Sequence, residues 1–491
     1  MGTPAGRWVL LATIAGSGMA MLDATVVNIA LPSIGRDLGA GFGTLQWIIN
    51  AYTLTLAALI LLAGALGDHF GRRRVFVIGV VWFAVASLLC GLAPTAEVLV
   101  VARALQGIGG ALLIPGSLAI ISSAFAATDR ARAVGAWSGL GGVAAAIGPF
   151  AGGWLVALDW RAVFLVNLPV AVLIVVVTLR HVPESLDTGS PPGLDVAGAA
   201  LTAAGLAGVT YALTSLNGGL GGLAAGAAGL AALVAFVLVE RRSPHPLVPL
   251  GLFIDRSFSV ANAVTFLVYA GLGVFFFLLL LQLQIVAGFT PLAAGTALLP
   301  VTVLMLLLSS RAGALAERIG PRLPMTAGPL LAATGFLLTL RIGRGASYLA
   351  DVLPAVTVLG LGLSLTVAPL TATVLGSAAA RYAGTASGVN NAIARSGNLL
   401  AVAVIPVAAG LGGAGYADPL SFDPGFRTAM LISAALLAVG ALLTLTLLRE
   451  PHRWSVTGLA PQPAERIALQ RCTHCGVTGP QLHPHPGREW H

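Results

Sequence analysis

A short charged phrase occurs twice in this chain, each time between long apolar runs. GALGDHFGRR, from Gly64 to Arg73, returns as GALAERIGPR, from Gly313 to Arg322. Gly64 matches Gly313, Ala65 matches Ala314, Leu66 matches Leu315, Asp68 matches Glu317, Gly71 matches Gly320 and Arg73 matches Arg322. Such a repeat restricts the fold to two related halves. The runs around it decide the medium. Of 491 residues, 57% are hydrophobic and 9% charged, where a soluble domain carries about a quarter charged. A chain of this composition cannot cover itself with water-compatible surface. It is predicted to be an all-α polytopic membrane protein.

A span needs roughly 20 apolar residues to cross about 30 Å of hydrocarbon. Fourteen stretches qualify: about 8–32, 44–67, 75–93, 98–122, 133–156, 161–180, 195–216, 219–240, 258–283, 292–312, 324–341, 350–376, 385–410 and 427–448. The first is too long for a signal-peptide core and reads as a span. Polar breaks at RHVPESLDTGSPPGL and ERRSPHPLVPLGLFIDRSF divide the spans six, two, six. The predicted organisation is therefore an N-terminal six-helix bundle (1–180), two additional helices with their linkers (181–257), a C-terminal six-helix bundle (258–449) and a polar tail (450–491). The second copy of the phrase then follows the second helix of the second six, where a duplicated half places it.

All 26 basic residues are Arg. With the N-terminus inside, fifteen Arg up to Arg449 fall on the inner side and five on the outer. That bias predicts two cytoplasmic termini and a multi-pass protein of the plasma membrane. The net charge of +8 is spread over these loops. No basic patch with interleaved aromatics appears, so no nucleic-acid partner is expected. There is no G-x4-G-K-[ST] phrase and no Lys, which removes an ATP-driven mechanism. No enzymatic chemistry and no cofactor are expected, and the chain is expected to act as a monomer.

Two charges stand inside apolar runs. Asp23, in MLDATVVNIALP, lies nine residues before Pro32, about 13 Å along a helix. A carboxylate there must be paired, hydrated or protonated, and is functional by default. Arg103, in VARALQGIGGA, enters the fourth span from the outer face to a similar depth. It requires an anion or a set of acceptors, with snorkelling to the headgroups as the alternative. Asp23 is its expected partner, and Gln106 lies on nearly the same helix face. The fifth span carries Gly148, Pro149, Gly152 and Gly153, a smooth and bent surface suited to an interface that seals or slides. Asn28, Asn50, Tyr52, Gln106, Asn262 and Tyr269 are candidates to line a cavity. Gln282, Gln284, Asn390, Asn391 and Arg395 are further polar positions within spans. In the tail, Cys472, Cys475, His483 and His485 have a spacing that zinc sites use, against an incidental unstructured tail. A disulfide scaffold is excluded, since Cys90 lies in a span.

Taken together these phrases resemble the major facilitator superfamily, and more narrowly its fourteen-span drug:proton antiporters of the EmrB/QacA group. GALGDHFGRRR is similar to the family's loop signature between the second and third spans. RALQGIGGA resembles its fourth-span signature, GLGGVAAAIGPFAGG the fifth-span antiporter signature, and LDATVVNIALP the first-span signature of the group. His69 departs from the basic residue usual in the loop signature. The resemblance covers about residues 8–450. It implies two six-helix bundles around a central cavity that opens alternately to each side. It also implies a cytoplasmic gate containing Gly64, Asp68, Gly71, Arg72 and Arg73, with Glu317 and Arg322 in the second copy. The expected function is proton-coupled export of small, lipophilic and possibly cationic molecules, with Asp23 and Arg103 coupling transport to H+. A facilitator or importer of the same fold, in which that pair is a static strut, is the alternative, as is a non-transporting membrane sensor.

Overall fold

The computed structural model describes residues 4–125, 127–186, 194–215, 219–243, 246–378, 382–411 and 418–448. The side chains of 127–128, 130–132, 138–147, 149 and 383 lie outside this description, as do the tail and its Cys472, Cys475, His483 and His485. The first half is α1 (Pro4–Asp37), α2 (Phe42–Phe70), α3 (Arg72–Gly91), α4 (Ala96–Ala124), α5 (Ala127–Leu158) and α6 (Ala162–Leu165, continuing as Asn167–His181). A hairpin follows, α7 (Val196–Thr214) and α8 (Gly219–Arg242). The second half is α9 (Arg256–Leu281), α10 (Leu299–Ile319, preceded by the short helix Pro291–Thr296), α11 (Arg322–Leu338), α12 (Leu353–Gly376), α13 (Ala383–Ala408) and α14 (Pro419–Leu447).

Among the described residues, thirteen helical segments are long and apolar enough to cross a membrane. The 32-residue α5 lies between the fourth and fifth of them. Several boundaries differ from the hydropathy estimate because helix starts are set by caps. Asp418 accepts from the backbone of Leu420 and Ser421 and from the Ser421 hydroxyl, so α14 begins at Pro419 rather than near 427. The Ser421 hydroxyl, the backbone donor of Leu420 and the Arg344 charge hold the Asp418 carboxyl below its usual range. Thr95, Asp195 and Asp255 cap α4, α7 and α9 in the same way.

The repeat extends from sequence into packing. In the first half α2 and α3 both pack on α4, α1 packs on α5, and α3 and α1 pack on α6; in the second half α10 and α11 pack on α12, α9 on α13, and α11 and α9 on α14. The phrase itself ends a helix in both copies. Gly71 terminates α2 with φ +106° and Gly320 terminates α10 with φ +89°, values an L side chain rarely adopts. A Cβ on Gly64 would lie 3.7 Å from Pro115 Cβ of α4, and one on Gly313 would lie 3.9 Å from Ala368 Cβ of α12.

Among the described residues the buried core joins the halves chiefly at one end. Val26–Ile34 of α1, Phe42–Ile49 of α2, Leu99 and Ala102 of α4, and Trp160–Phe164 belong to one apolar cluster with the second half. The opposite ends of the same helices, from Val9, Tyr52–Ile60, Phe76 and Ile121 to Val177, form a separate cluster within the first half. The α7–α8 hairpin packs mainly on itself, while α7 also covers the line where α2 meets α13.

Candidate functional site

Close helix approach builds the site. A Cβ on Gly107 of α4 would lie 2.4 Å from the Tyr52 carbonyl of α2, so only glycine lets these helices meet there. The Thr55 hydroxyl donates across this contact to the Ala104 carbonyl at 2.8 Å. One turn away, the approach brings the Arg103 guanidinium over the Tyr52 ring, 4.3 Å from its centroid, in cation–π contact.

Arg103 is 1% exposed and Asp23 2%, so Arg103 does not snorkel. Its Nη1 donates to Asp23 Oδ2 at 2.5 Å and to Gln106 Oε1 at 2.6 Å, and its Nε donates to the Ile48 carbonyl at 3.2 Å. The other carboxylate oxygen, Oδ1, accepts from Gln106 Nε2 at 2.9 Å and from Asn167 Nδ2 at 3.2 Å. Both amides also donate to the Ser87 hydroxyl, at 2.8 and 3.2 Å. The Cys90 thiol donates to Gln106 Oε1 at 3.6 Å. Six polar side chains from α1, α3, α4 and α6 thus satisfy one another away from water, with the Tyr52 ring as a lid.

The chemistry of this closed set is restrictive. Oδ1 of Asp23 accepts two hydrogen bonds and Oδ2 accepts one, which leaves Oδ2 a free lone pair. A proton taken there would cancel the charge that strengthens the bond to Arg103. A cavity of about 240 Å³ between α1, α5 and α6 reaches Asp23 and Asn167, with Met19, Leu22, Leu155 and Val163 among its apolar walls.

The small residues of α5 seat this helix against α1 and against the second half. Cβ atoms on Gly148 and Gly152 would lie 2.2 Å from Thr25 Oγ1 and 2.9 Å from Val26 Cγ1. One on Gly153 would lie 2.7 Å from the Leu292 Cα. Pro149 falls among the side chains outside the description.

At the other end of the first half, the repeated phrase forms a strap. Asp68 accepts from Arg72 Nε at 2.8 Å. Glu184, in the segment after α6, accepts from the Arg73 amide at 3.0 Å, and Arg73 Nη1 donates to the Val182 carbonyl at 3.1 Å. In the second copy Arg322 donates to the Leu445 carbonyl at the end of α14. Each matched Arg thus caps the last helix of its own half. The matched carboxylates differ: Pro321 stands where the first copy has Arg72, and exposed Glu317 has no ion-pair partner among the described residues. Exposed His69 touches the Phe70 ring edge-on.

Gly71 is the strictest position of the strap, because a Cβ there would also lie 2.8 Å from Glu184 Oε1. Gly71→Ala is expected to cost about 1–3 kcal/mol from backbone strain and displacement of Glu184, read as a lowered Tm in detergent. Gly67→Ala, where a Cβ meets nothing within 4 Å, is the control. Equal melting of the two variants would show that the strap does not need this glycine.

The remaining polar candidates separate. Gln106 is inside the buried set rather than on a free surface. Asn50 is fully buried, with neither amide atom hydrogen-bonded. Asn262 and Thr265 accept from Asn390 Nδ2 at 3.0 and 2.8 Å, tying α9 to α13. Asn28 and Tyr269 are half-buried, and Asn28 donates to the Ala24 carbonyl. Gln282 bonds Asp423 and the Ile342 carbonyl within the second half, while Gln284 crosses to the Ile29 carbonyl of α1 at 3.1 Å. Asn167, Ser87 and Glu184 are participants that sequence reasoning missed. Asn167 carried a usable signal, a lone amide in the apolar run VFLVNLPVAV.

Comparison with known proteins agrees with this architecture. Residues 13–402 match the model of the Major Facilitator Superfamily. The chain is 37% identical over 410 residues to the puromycin resistance protein pur8 of Streptomyces alboniger, covering 82% of this chain and 81% of that one. It is 36% identical over 404 residues to the multidrug resistance protein Stp of Mycobacterium tuberculosis, covering 81% and 74%. A bacterial homologue of the human lysosomal transporter Spinster, crystallised inward-facing and unoccupied, matches with a TM-score of 0.64 at 17% identity over 91% of this chain and 97% of that one, a likeness of fold. With two like halves in the bundle and a family match over most of its length, the chain belongs to the Major Facilitator Superfamily.

Proposed function

We propose that this protein is a proton-coupled exporter of small lipophilic molecules, working by alternating access in the plasma membrane with both termini cytoplasmic. The observation that carries this is the Asp23 carboxylate, sealed from water and with both oxygens engaged by Arg103, Gln106 and Asn167. Adding a proton there removes a charge on which three helices depend. Proton uptake and helix rearrangement are therefore the same event. The direction and substrate class draw on the relatives, named as resistance proteins for puromycin and multiple drugs. In this reading α5 is the fourteenth span, its glycine face meets α1 and the second half, and the Asp68 strap belongs to the cytoplasmic gate. Export proceeds as the joined end parts and the strapped end closes.

Purified protein in proteoliposomes tests this. An imposed pH gradient is expected to drive ethidium against its concentration gradient, and a protonophore to stop it. Ethidium movement at the same rate with and without the gradient would identify a facilitator instead.

A further inference from the structure

The first half buries one cation and its anion together. The second half carries a half-buried cation without a partner among the described residues. Arg395 lies at the middle of α13 (Ala383–Ala408). Among the described residues it makes no hydrogen bond and no ion pair. The α5 side chains outside the description, SGLGGVAAAI over 138–147, contain no acid that could pair with it. A guanidinium inside a span is a functional-site candidate by default, and one with no protein partner has its donors free for an anionic group.

Helix geometry places this charge. Gly388, Ala392, Arg395, Leu399 and Val402 form one stripe of α13 at helical spacing. That stripe faces α2. A Cβ on Gly388 would lie 2.9 Å from Leu61, Leu399 shares a small apolar cluster with Ala57 and Leu206, and the Val402 carbonyl accepts from Gln46 Nε2 at 2.7 Å. The two helices run antiparallel, so Arg395 lies opposite the stretch of α2 near Thr53. Asn50 belongs to the α2 stripe that carries Gln46, Leu54, Ala57 and Leu61, about one turn from that level. It is 0% exposed, and both its amide atoms lack partners. The Tyr52 hydroxyl, two residues along α2 from Asn50, donates to the Ala20 carbonyl of α1 at 3.4 Å. Leu206 of α7 closes the seam on its lipid side.

An unpaired guanidinium and an unpaired amide thus share the α2–α13 seam, the line along which the halves part. We infer that Arg395 and Asn50 form an anion subsite for the transported molecule, which carries an acidic group such as a carboxylate or phenolate on a lipophilic body. Arg395 supplies the charge-assisted hydrogen bonds and Asn50 one donor and one acceptor. The sequence also admits a cationic substrate. Asp23 is, however, engaged by its own half, and the unengaged charge is positive. Tyr52, whose ring lies on Arg103, stands two residues along α2 from Asn50.

This inference rests on the export proposal only for the direction of transport, so its test uses equilibrium binding without a gradient. Fluorescein and its uncharged methyl ether ester serve as acidic and neutral probes of nearly one shape, and ethidium as a cation. Wild-type protein in nanodiscs is expected to bind fluorescein at least ~10-fold more tightly than the neutral analogue, the scale of one charge-assisted contact. Arg395→Gln should remove that preference and Arg395→Lys should keep most of it, with ethidium binding unchanged in both. Equal wild-type affinity for fluorescein and its neutral analogue would overturn the inference, and this measurement needs no variant. So would an Arg395→Gln protein that retains the preference, or one that loses ethidium and fluorescein alike. Charge-selective binding without gradient-driven efflux would leave the subsite standing and remove the export proposal.

Discussion

Asp23→Asn is expected to reduce gradient-driven ethidium efflux to the leak rate while the protein still folds. Asparagine keeps the shape and one acceptor oxygen, so the Arg103 bonds to Gln106 and the Ile48 carbonyl persist. What disappears is the charge that a proton can cancel. The stability loss should be about 3 kcal/mol, the lower end for a buried pair broken from one side, because the amide oxygen still accepts from Arg103, and gel filtration should remain monodisperse. Efflux at the wild-type rate would place the coupling carboxyl elsewhere. The mutant is also expected to exchange dye passively, because alternating access no longer waits for a proton.

Arg103→Ala should be the more destructive change. It strips the guanidinium from a carboxylate that is 2% exposed and leaves Gln106 Oε1 and the Ile48 carbonyl without their donor. Breaking a buried pair from one side costs about 3–5 kcal/mol, so a large fall in Tm and in yield is expected, together with loss of transport. Arg103→Lys should not rescue it, since an ammonium cannot both lie flat on the Tyr52 ring and fork to two acceptors. The double variant Asp23→Asn, Arg103→Gln removes both charges and should recover part of the stability but none of the transport. Thermal unfolding of the four proteins checks this. An Arg103→Ala protein as stable as wild type would contradict the buried pair.

The sequence made the centre of this site legible because charges in apolar runs are costly and therefore conspicuous. Asp23 and Arg103 stood out for that reason, and their similar depth followed from helical rise alone. Gln106 followed from its spacing. Ser87 could not be found, since a hydroxyl hidden in a span bonds its own helix backbone as readily as a neighbour. Glu184 was hidden for the opposite reason: it sits in a polar break, where any acid looks like solvated loop. The cavity candidates had equal standing as letters and separated only through packing, with Asn262 tied to Asn390 and Asn50 left without partners. Helix boundaries were least legible where a cap rather than hydropathy sets them, as at Asp418. The repeat forecast two like halves. It did not reveal that Arg322 would keep the capping role of Arg73 while Glu317 lost the partner that Asp68 has.

The two ends of the bundle differ in the apolar core that the halves share, and in the alternating-access reading proposed above this has a thermal consequence. Where the halves share one apolar core, from Val26–Ile34 and Phe42–Ile49 to α9, opening wets hydrocarbon and carries a positive heat-capacity change. At the strapped end the Arg–carboxylate and Arg–carbonyl bonds each stay within one half, so they add no such term to its opening. Hydrophobic closure weakens on cooling. Temperature is thus an input to the conformational equilibrium in its own right: cold loosens the joined end first, and the share of molecules open on that side follows a curved rather than a straight van't Hoff line.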